Sequence, residues 1–150
     1  MGISYEGLAW VTGAAVLLGT LPDTRILALA GLYSLGAHGI MTLNDFKAIE
    51  GDRALNIRTL PVQLGPESAA RLACVVMAIP QGIVMALLLS WQLPVYAGLI
   101  GALLLLQLSA MVKMLKDPAG LAPWYNGTGV SLYVLGMMVS AVGVSRVIAS

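Results

Sequence analysis

The chain has 150 residues, 59% hydrophobic and only 10% charged, with a net charge of +1 and a mean hydropathy of +0.89. Soluble domains are about 45–50% apolar and about 25% charged, which excludes an ordinary soluble enzyme, and the near-neutral balance offers nothing to nucleic acid. What is left is an all-α, polytopic transmembrane helix bundle, read as a single transmembrane domain over residues 1–150 in a lipid bilayer.

A spanning helix needs about 20 apolar residues, within a range of about 17–25. Five segments qualify, at about 3–19, 26–44, 67–91, 94–116 and 125–148. The first is short and carries Glu6 near its start. It follows an N-terminus without the cationic region of a secretory signal, so the chain is expected to be the back half of something longer. "TLPDT" turns the chain, with Asp23 or Thr24 as N-cap. The second segment runs directly into a charged stretch. The third opens on "GPES", where Pro66 suits a first helical turn, and its internal Pro80 predicts a kink. Its one cysteine, Cys74, excludes an intrachain disulfide and reads as a small buried hydrophobe. "QLP" separates the third from the fourth, and "DPAGLAP" reads as a break before the fifth. Trp91 and Trp124 lie where interfacial anchors are expected.

Charge sets the orientation. Lys47, Arg53, Arg58, Arg71, Lys113 and Lys116 fall on one side of the membrane, and only Arg25 and Arg146 on the other. By the positive-inside rule, the side with the charged stretch faces the cytoplasm.

That stretch, "TLNDFKAIEGDRALNIRTLPVQLG" from Thr42 to Gly65, holds six of the fifteen charges. Asp45, Glu50 and Asp52 interleave with Lys47, Arg53 and Arg58. Residues seven apart share a helix face, which puts His38, Asp45 and Asp52 on one stripe. If the helix continued to Asp52, the two aspartates would stand about 10.5 Å apart along its axis. One Mg²⁺, with oxygen ligands at about 2.0–2.1 Å, cannot bridge that distance without a second site or a bend at Gly51. Hard carboxylates beside Lys and Arg suit a Mg²⁺-bound diphosphate, which Arg grips through a bidentate fork. The alternative is mutual ion pairing in a solvated loop.

As a string, "NDFKAIEGDRALNIRTLPVQLG" resembles the second aspartate-rich motif of the UbiA prenyltransferase superfamily, in its chlorophyll and bacteriochlorophyll synthase branch. "YEGLAWVTGAAV" and "AHGIMTLNDFKA" extend the resemblance from about Tyr5 through at least Gln81. It implies a nine-helix membrane enzyme that joins geranylgeranyl or phytyl diphosphate to the propionate of a (bacterio)chlorophyllide. The five segments would be the last five of nine, in the inner membrane of a phototrophic bacterium. The resemblance further implies Mg²⁺ as cofactor, with Asp45, Glu50 and Asp52 as metal-facing and catalytic acids. Asn44, Lys47, Arg53 and Arg58 would bind the diphosphate.

Two departures accompany the resemblance. Many superfamily members carry an acid at the position of Ala48, which is absent here. The first motif, of the form N-D-x-x-D-x-x-x-D, appears nowhere in the 150 residues. The isolated chain is therefore expected to be inactive without a missing N-terminal half or a second chain. A rival reading is a non-catalytic membrane protein of the same descent that binds pigment or partner proteins.

Outside the motif, His38 is the only histidine and lies within a membrane segment, where ionisable groups tend to face a cavity or partner. With Glu6 and Tyr5 it is a candidate for the acceptor pocket, the alternative being an interhelical hydrogen bond. Tyr125 and Asn126 are candidates for the pocket rim, and Gln107 and Ser109 for interhelical hydrogen bonds.

Overall fold

The computed structural model describes residues 11–13, 15–17 and 19–148. Within them the fold is all-helical: α1 (Thr24–Asn44), a 3-10 turn (Asp45–Ala48), α2 (Ile49–Ala54), α3 (Leu60–Leu64), α4 (Pro66–Ser90), α5 (Pro94–Met114) and α6 (Pro118–Ile148). Four helices among the described residues are long and apolar enough to cross a membrane, the first of them running from Thr24 through the polar turn to Ala54.

The expectation of five spans is thereby corrected to four. Of the segment expected at 3–19, the described helical residues are 11–13 and 15–17, too few to cross a bilayer that takes about 17 at least. Val16 and Leu17 are 78% and 86% exposed, while Val11 and Ala15 are half-buried. Hydropathy registers lipid affinity but not helix length or packing, which is why a short apolar run counted as a span. The matching of the segments to the last five of nine helices falls with that count. Tyr5 and Glu6 lie outside the described residues.

The other four segments fold close to expectation. Asp23 caps α1, its Oδ1 accepting from the Arg25 N–H at 2.7 Å. The last helix begins earlier than expected, because the residues read as a break start it. Asp117 accepts from the Gly120 N–H at 3.1 Å, and Pro118 occupies a first-turn position where a missing N–H costs nothing.

Consecutive long helices run antiparallel and close into a ring in which α1 packs on α4, α4 on α5, α5 on α6, and α6 back on α1. Lipid supplies no hydrophobic drive between helices, so close approach and buried hydrogen bonds must hold them. Gly36 of α1 takes the Tyr133 ring where a Cβ would stand, and Gly39 takes Met77 and the Ala73 backbone of α4. Tyr33 and Tyr133 meet edge to face at 5.3 Å. Tyr133 Oη donates to the Tyr33 carbonyl at 2.8 Å, and Tyr33 Oη pairs with Ser140 Oγ at 2.8 Å. Deeper in the bundle, Gln81 Nε2 donates to Gln107 Oε1 at 2.8 Å and Gln107 Nε2 donates to Tyr125 Oη at 3.1 Å. All three residues are fully buried, as expected of the interhelical role read for Gln107. Ser109 instead bonds the Leu106 carbonyl of its own helix.

Candidate active site

The twenty-one residues of α1 rise about 31 Å, enough to cross a hydrocarbon core of about 30 Å. The polar extension from Asp45 onward therefore lies beyond the apolar span. The same end of the ring holds the start of α4, the end of α5 with Lys113, and the start of α6, where Lys113 Nζ sits 4.0 Å from the Trp124 ring. The six cations grouped by sequence thus share one end of the molecule.

The helix passes into 3-10 geometry at Asp45–Ala48, and Gly51 lies inside α2. Phe46 and Leu43 are buried and hold this turn against the bundle. They leave Asp45 half-buried, with Lys47 and Glu50 on the exposed side. α2 then ends in a tight reversal. Asn56 adopts φ 58°, a left-handed conformation that asparagine tolerates better than most residues. The Ile57 N–H reaches the Asp52 carbonyl at 2.8 Å and the Asn56 N–H reaches that of Arg53 at 3.3 Å. This paired helix-ending motif satisfies carbonyls that would otherwise be orphaned. It turns the chain back so that Thr59 Oγ1 donates to Asp52 Oδ2 at 3.1 Å.

The result is two half-buried carboxylates at one end of the bundle. Partial burial holds the Asp45 carboxyl above its ordinary value of 3.8, and the negative charge of Asp52 adds to the shift. The two acids on the predicted stripe are therefore close enough to repel. Lys47, Arg53 and Arg58 are exposed. Among the described residues the ion pair formed is Arg25 with Asp23, at 4.0 Å and outside the motif. The alternative of an internally paired loop is not what the fold adopts.

Mg²⁺ is typically held by one or two carboxylates together with water and phosphate oxygens. The Asp45–Asp52 pair, repelling and without a cation, fits such a partial donor set. No group of three His, Cys, Asp or Glu side chains that could hold a metal occurs among the described residues, so Glu50 does not complete a preassembled cage.

Asn44 sits at the head of the 3-10 turn and is tied to the last helix: Asn126 Nδ2 donates to Asn44 Oδ1 at 2.9 Å. Asn126 Oδ1 is buried without a partner. This link joins residues 82 apart in sequence, and only the common side of the membrane hinted at it. Thr59 was missed altogether, being an unremarkable polar residue seven beyond Asp52. His38 Nε2 is also buried and unpartnered, while its carbonyl accepts from Thr42 Oγ1 at 2.9 Å. The interhelical hydrogen bond considered for His38 is not formed among the described residues.

The pattern of the UbiA prenyltransferase family matches residues 2–127. The chain is 62% identical over 141 residues to the bacteriochlorophyll synthase 33 kDa chain of Cereibacter sphaeroides, covering 94% of this chain and 47% of that protein. It is 43% identical over 145 residues to the bacteriochlorophyll synthase 34 kDa chain of Chloroflexus aurantiacus, covering 97% and 46%. To the chloroplastic chlorophyll synthase of Oryza sativa subsp. japonica it is 40% identical over 148 residues, covering 97% and 39%. No solved structure matches. The chain spans about half the length, or less, of these curated relatives. The motif, the helical bundle that carries it and these likenesses agree: the chain belongs to the UbiA prenyltransferase family, close to the bacteriochlorophyll and chlorophyll synthases.

Proposed function

We propose that this chain forms the half of a membrane prenyltransferase that bears the second aspartate-rich motif. The complete enzyme would esterify a (bacterio)chlorophyllide with geranylgeranyl or phytyl diphosphate in the presence of Mg²⁺. The observation that carries the reading is that Asp45 and Asp52 stand half-buried at one end of the bundle, with no ion pair to any cation of the motif among the described residues. The Asp45 carboxyl is raised by burial and further by the charge of Asp52. Such a pair is costly unless something positive is meant to lie against it.

In this reading Asp45 and Asp52 hold the metal, with Glu50 as a third acid on the exposed side. Mg²⁺, when bound, supplies positive charge against the diphosphate as that group departs. Lys47, Arg53 and Arg58 are unpaired within the motif, so their charges are available to phosphate oxygens. Stabilisation there is greatest in the transition state, when the carbon–oxygen bond to diphosphate breaks and negative charge builds on the leaving group. A propionate oxygen of the acceptor forms the new bond to the allylic carbon, and as a carboxylate it needs no general base. Thr59 keeps Asp52 in one rotamer, and Asn126 does the same for Asn44. The apolar helices shield the allylic cation from water. His38 is assigned to the acceptor side with Tyr5 and Glu6, and the motif end to the cytoplasmic face of a phototroph's inner membrane.

The test is to co-express the chain with a partner carrying the first aspartate-rich motif and to follow ester formation by chromatography. Ester should appear only with both chains and Mg²⁺, and be lost in Asp52→Ala. Full activity in the Asp45→Ala, Asp52→Ala double variant would sink the metal assignment. Pigment retention without ester under every condition would favour the non-catalytic rival. For orientation, a cysteine introduced at Ala54 in a Cys74→Ala background should resist impermeant thiol reagents added outside the cell.

A further inference from the structure

Thr59 occupies the N-cap position of α3, yet its side chain makes no capping bond to that helix. A threonine there ordinarily accepts from an N–H of the first helical turn. The hydroxyl is turned instead to the preceding helix, where it donates to Asp52 Oδ2 at 3.1 Å.

The rest of α3 braces it in that position. Five residues are too few for a helix to persist alone, so α3 depends on what it packs against and on its own end bonds. Pro61 is fully buried, and α3 rests on α4. Gln63 closes on the two residues before the helix. Its backbone N–H donates to the Thr59 carbonyl at 3.0 Å, and its Nε2 donates to the Arg58 carbonyl.

The consequence falls on one carboxylate. Asp52 Oδ2 is engaged by Thr59, and Oδ1 has no hydrogen bond among the described residues. A carboxylate tied at one oxygen offers a cation the other, and resists turning to give both. That difference separates two cations. Mg²⁺ demands octahedral oxygens at about 2.0–2.1 Å and is usually held by one or two carboxylates with water. Ca²⁺ takes about 6–8 oxygens at about 2.3–2.6 Å and readily uses both oxygens of one carboxylate.

We propose that Thr59 is a positioning residue that sets the metal preference of this site: by holding Asp52 Oδ2 it confines Asp52 to ligation through one oxygen, which favours Mg²⁺ over Ca²⁺. The inference rests on the reading of Asp45 and Asp52 as the acids that hold the metal, and deepens it. It concerns which cation the acids accept, not the transfer step, so its test reads binding rather than ester.

The chain, co-expressed and purified with a partner carrying the first aspartate-rich motif, would be loaded with Mn²⁺. Free Mn²⁺ would be followed by electron paramagnetic resonance as Mg²⁺ or Ca²⁺ is added. The unsubstituted pair should release Mn²⁺ at lower Mg²⁺ than Ca²⁺. In Thr59→Val this preference for Mg²⁺ should fall about tenfold, the scale of losing a hydrogen bond behind a metal ligand. Thr59→Ser keeps the hydroxyl and should restore it. An unchanged preference in Thr59→Val would overturn the proposal. So would an equal loss of both cations, which marks a merely structural role, or no preference for Mg²⁺ in the unsubstituted pair. Asp52→Ala separates the proposal from the reading beneath it. Mn²⁺ bound as tightly in that variant would overturn the metal assignment itself. Binding lost there, with the Thr59→Val preference unmoved, would overturn the proposal alone.

Discussion

The molecule handles polar groups in two opposite ways. In the apolar body, Gln81, Gln107 and Tyr125 are fully buried and bonded to one another across three helices, and Tyr33 is tied to Ser140 and Tyr133. At the end of α1, six charges crowd into a short stretch and none pairs with another. In hydrocarbon a polar group has only protein to bond to, so the body pairs its groups to hold helices together. Outside it, water or a ligand can do the matching, and the fold leaves charge available. Pairing in the body therefore holds helices together, while the charges at the end of α1 stay free of one another.

That contrast can be broken deliberately. The largest effect should come from the free charges. In the complemented enzyme, Asp52→Ala is expected to lower the rate of esterification on the order of 100-fold or more, with little change in the thermal unfolding of the detergent-solubilised chain. Next come changes to packing in the paired region. Gly36→Leu would drive a side chain into the space of the Tyr133 ring and should destabilise the bundle by about 1–3 kcal/mol, read by thermal unfolding. Gln107→Leu removes the partner of both Gln81 and Tyr125 and should cost about 1 kcal/mol. The Gln81→Leu, Gln107→Leu double variant should cost less than the sum of the singles, because both ends of the bond are removed together.

A subtler effect is the pH response of Asp45. Its carboxyl is raised by burial and by Asp52, so the folded state binds a proton more tightly than the unfolded one. Its contribution to stability is present below the ordinary carboxylate value and is lost as pH rises through its raised value. Thermal unfolding across that interval should show stability falling with pH, and Asp45→Asn should flatten this part of the profile. The smallest effect is expected from Asn126→Ala. It frees Asn44 by removing one exposed hydrogen bond, worth about 0.5 kcal/mol, and should lower activity a few-fold while leaving unfolding nearly unchanged.

How much of this was legible in the sequence depends on the range of the interaction. Apolar runs set α1, α4 and α5 to within two or three residues, since burial in lipid demands continuous hydrophobicity. The start of α6 was misplaced because Pro118 and Pro123 look like breakers. Only the capping by Asp117 shows that the first of them opens the helix. Of the run before Gly19 the described helical residues are 11–13 and 15–17, and the spans among the described residues are four rather than the five expected. At the site, the seven-residue interval put Asp45 and Asp52 on one stripe but about 10.5 Å apart along an unbroken helix. That the charge of Asp52 reaches Asp45 was not legible. The 3-10 turn did not announce itself, because it depends on where Phe46 and Leu43 bury. The hydrogen bond of Asn126 to Asn44 crosses 82 positions and has no local signature.

The reversal at Asn56 has a consequence for the order of assembly. Every bond that shapes it lies between residues 51 and 59: two backbone bonds close the end of α2, and Thr59 returns to Asp52. This part of the acidic site is thus written in cis, in one short peptide, and needs no second chain to take shape. The chain can arrive in the membrane with Asp52 already held, and a partner would find this reversal formed rather than a loop to organise.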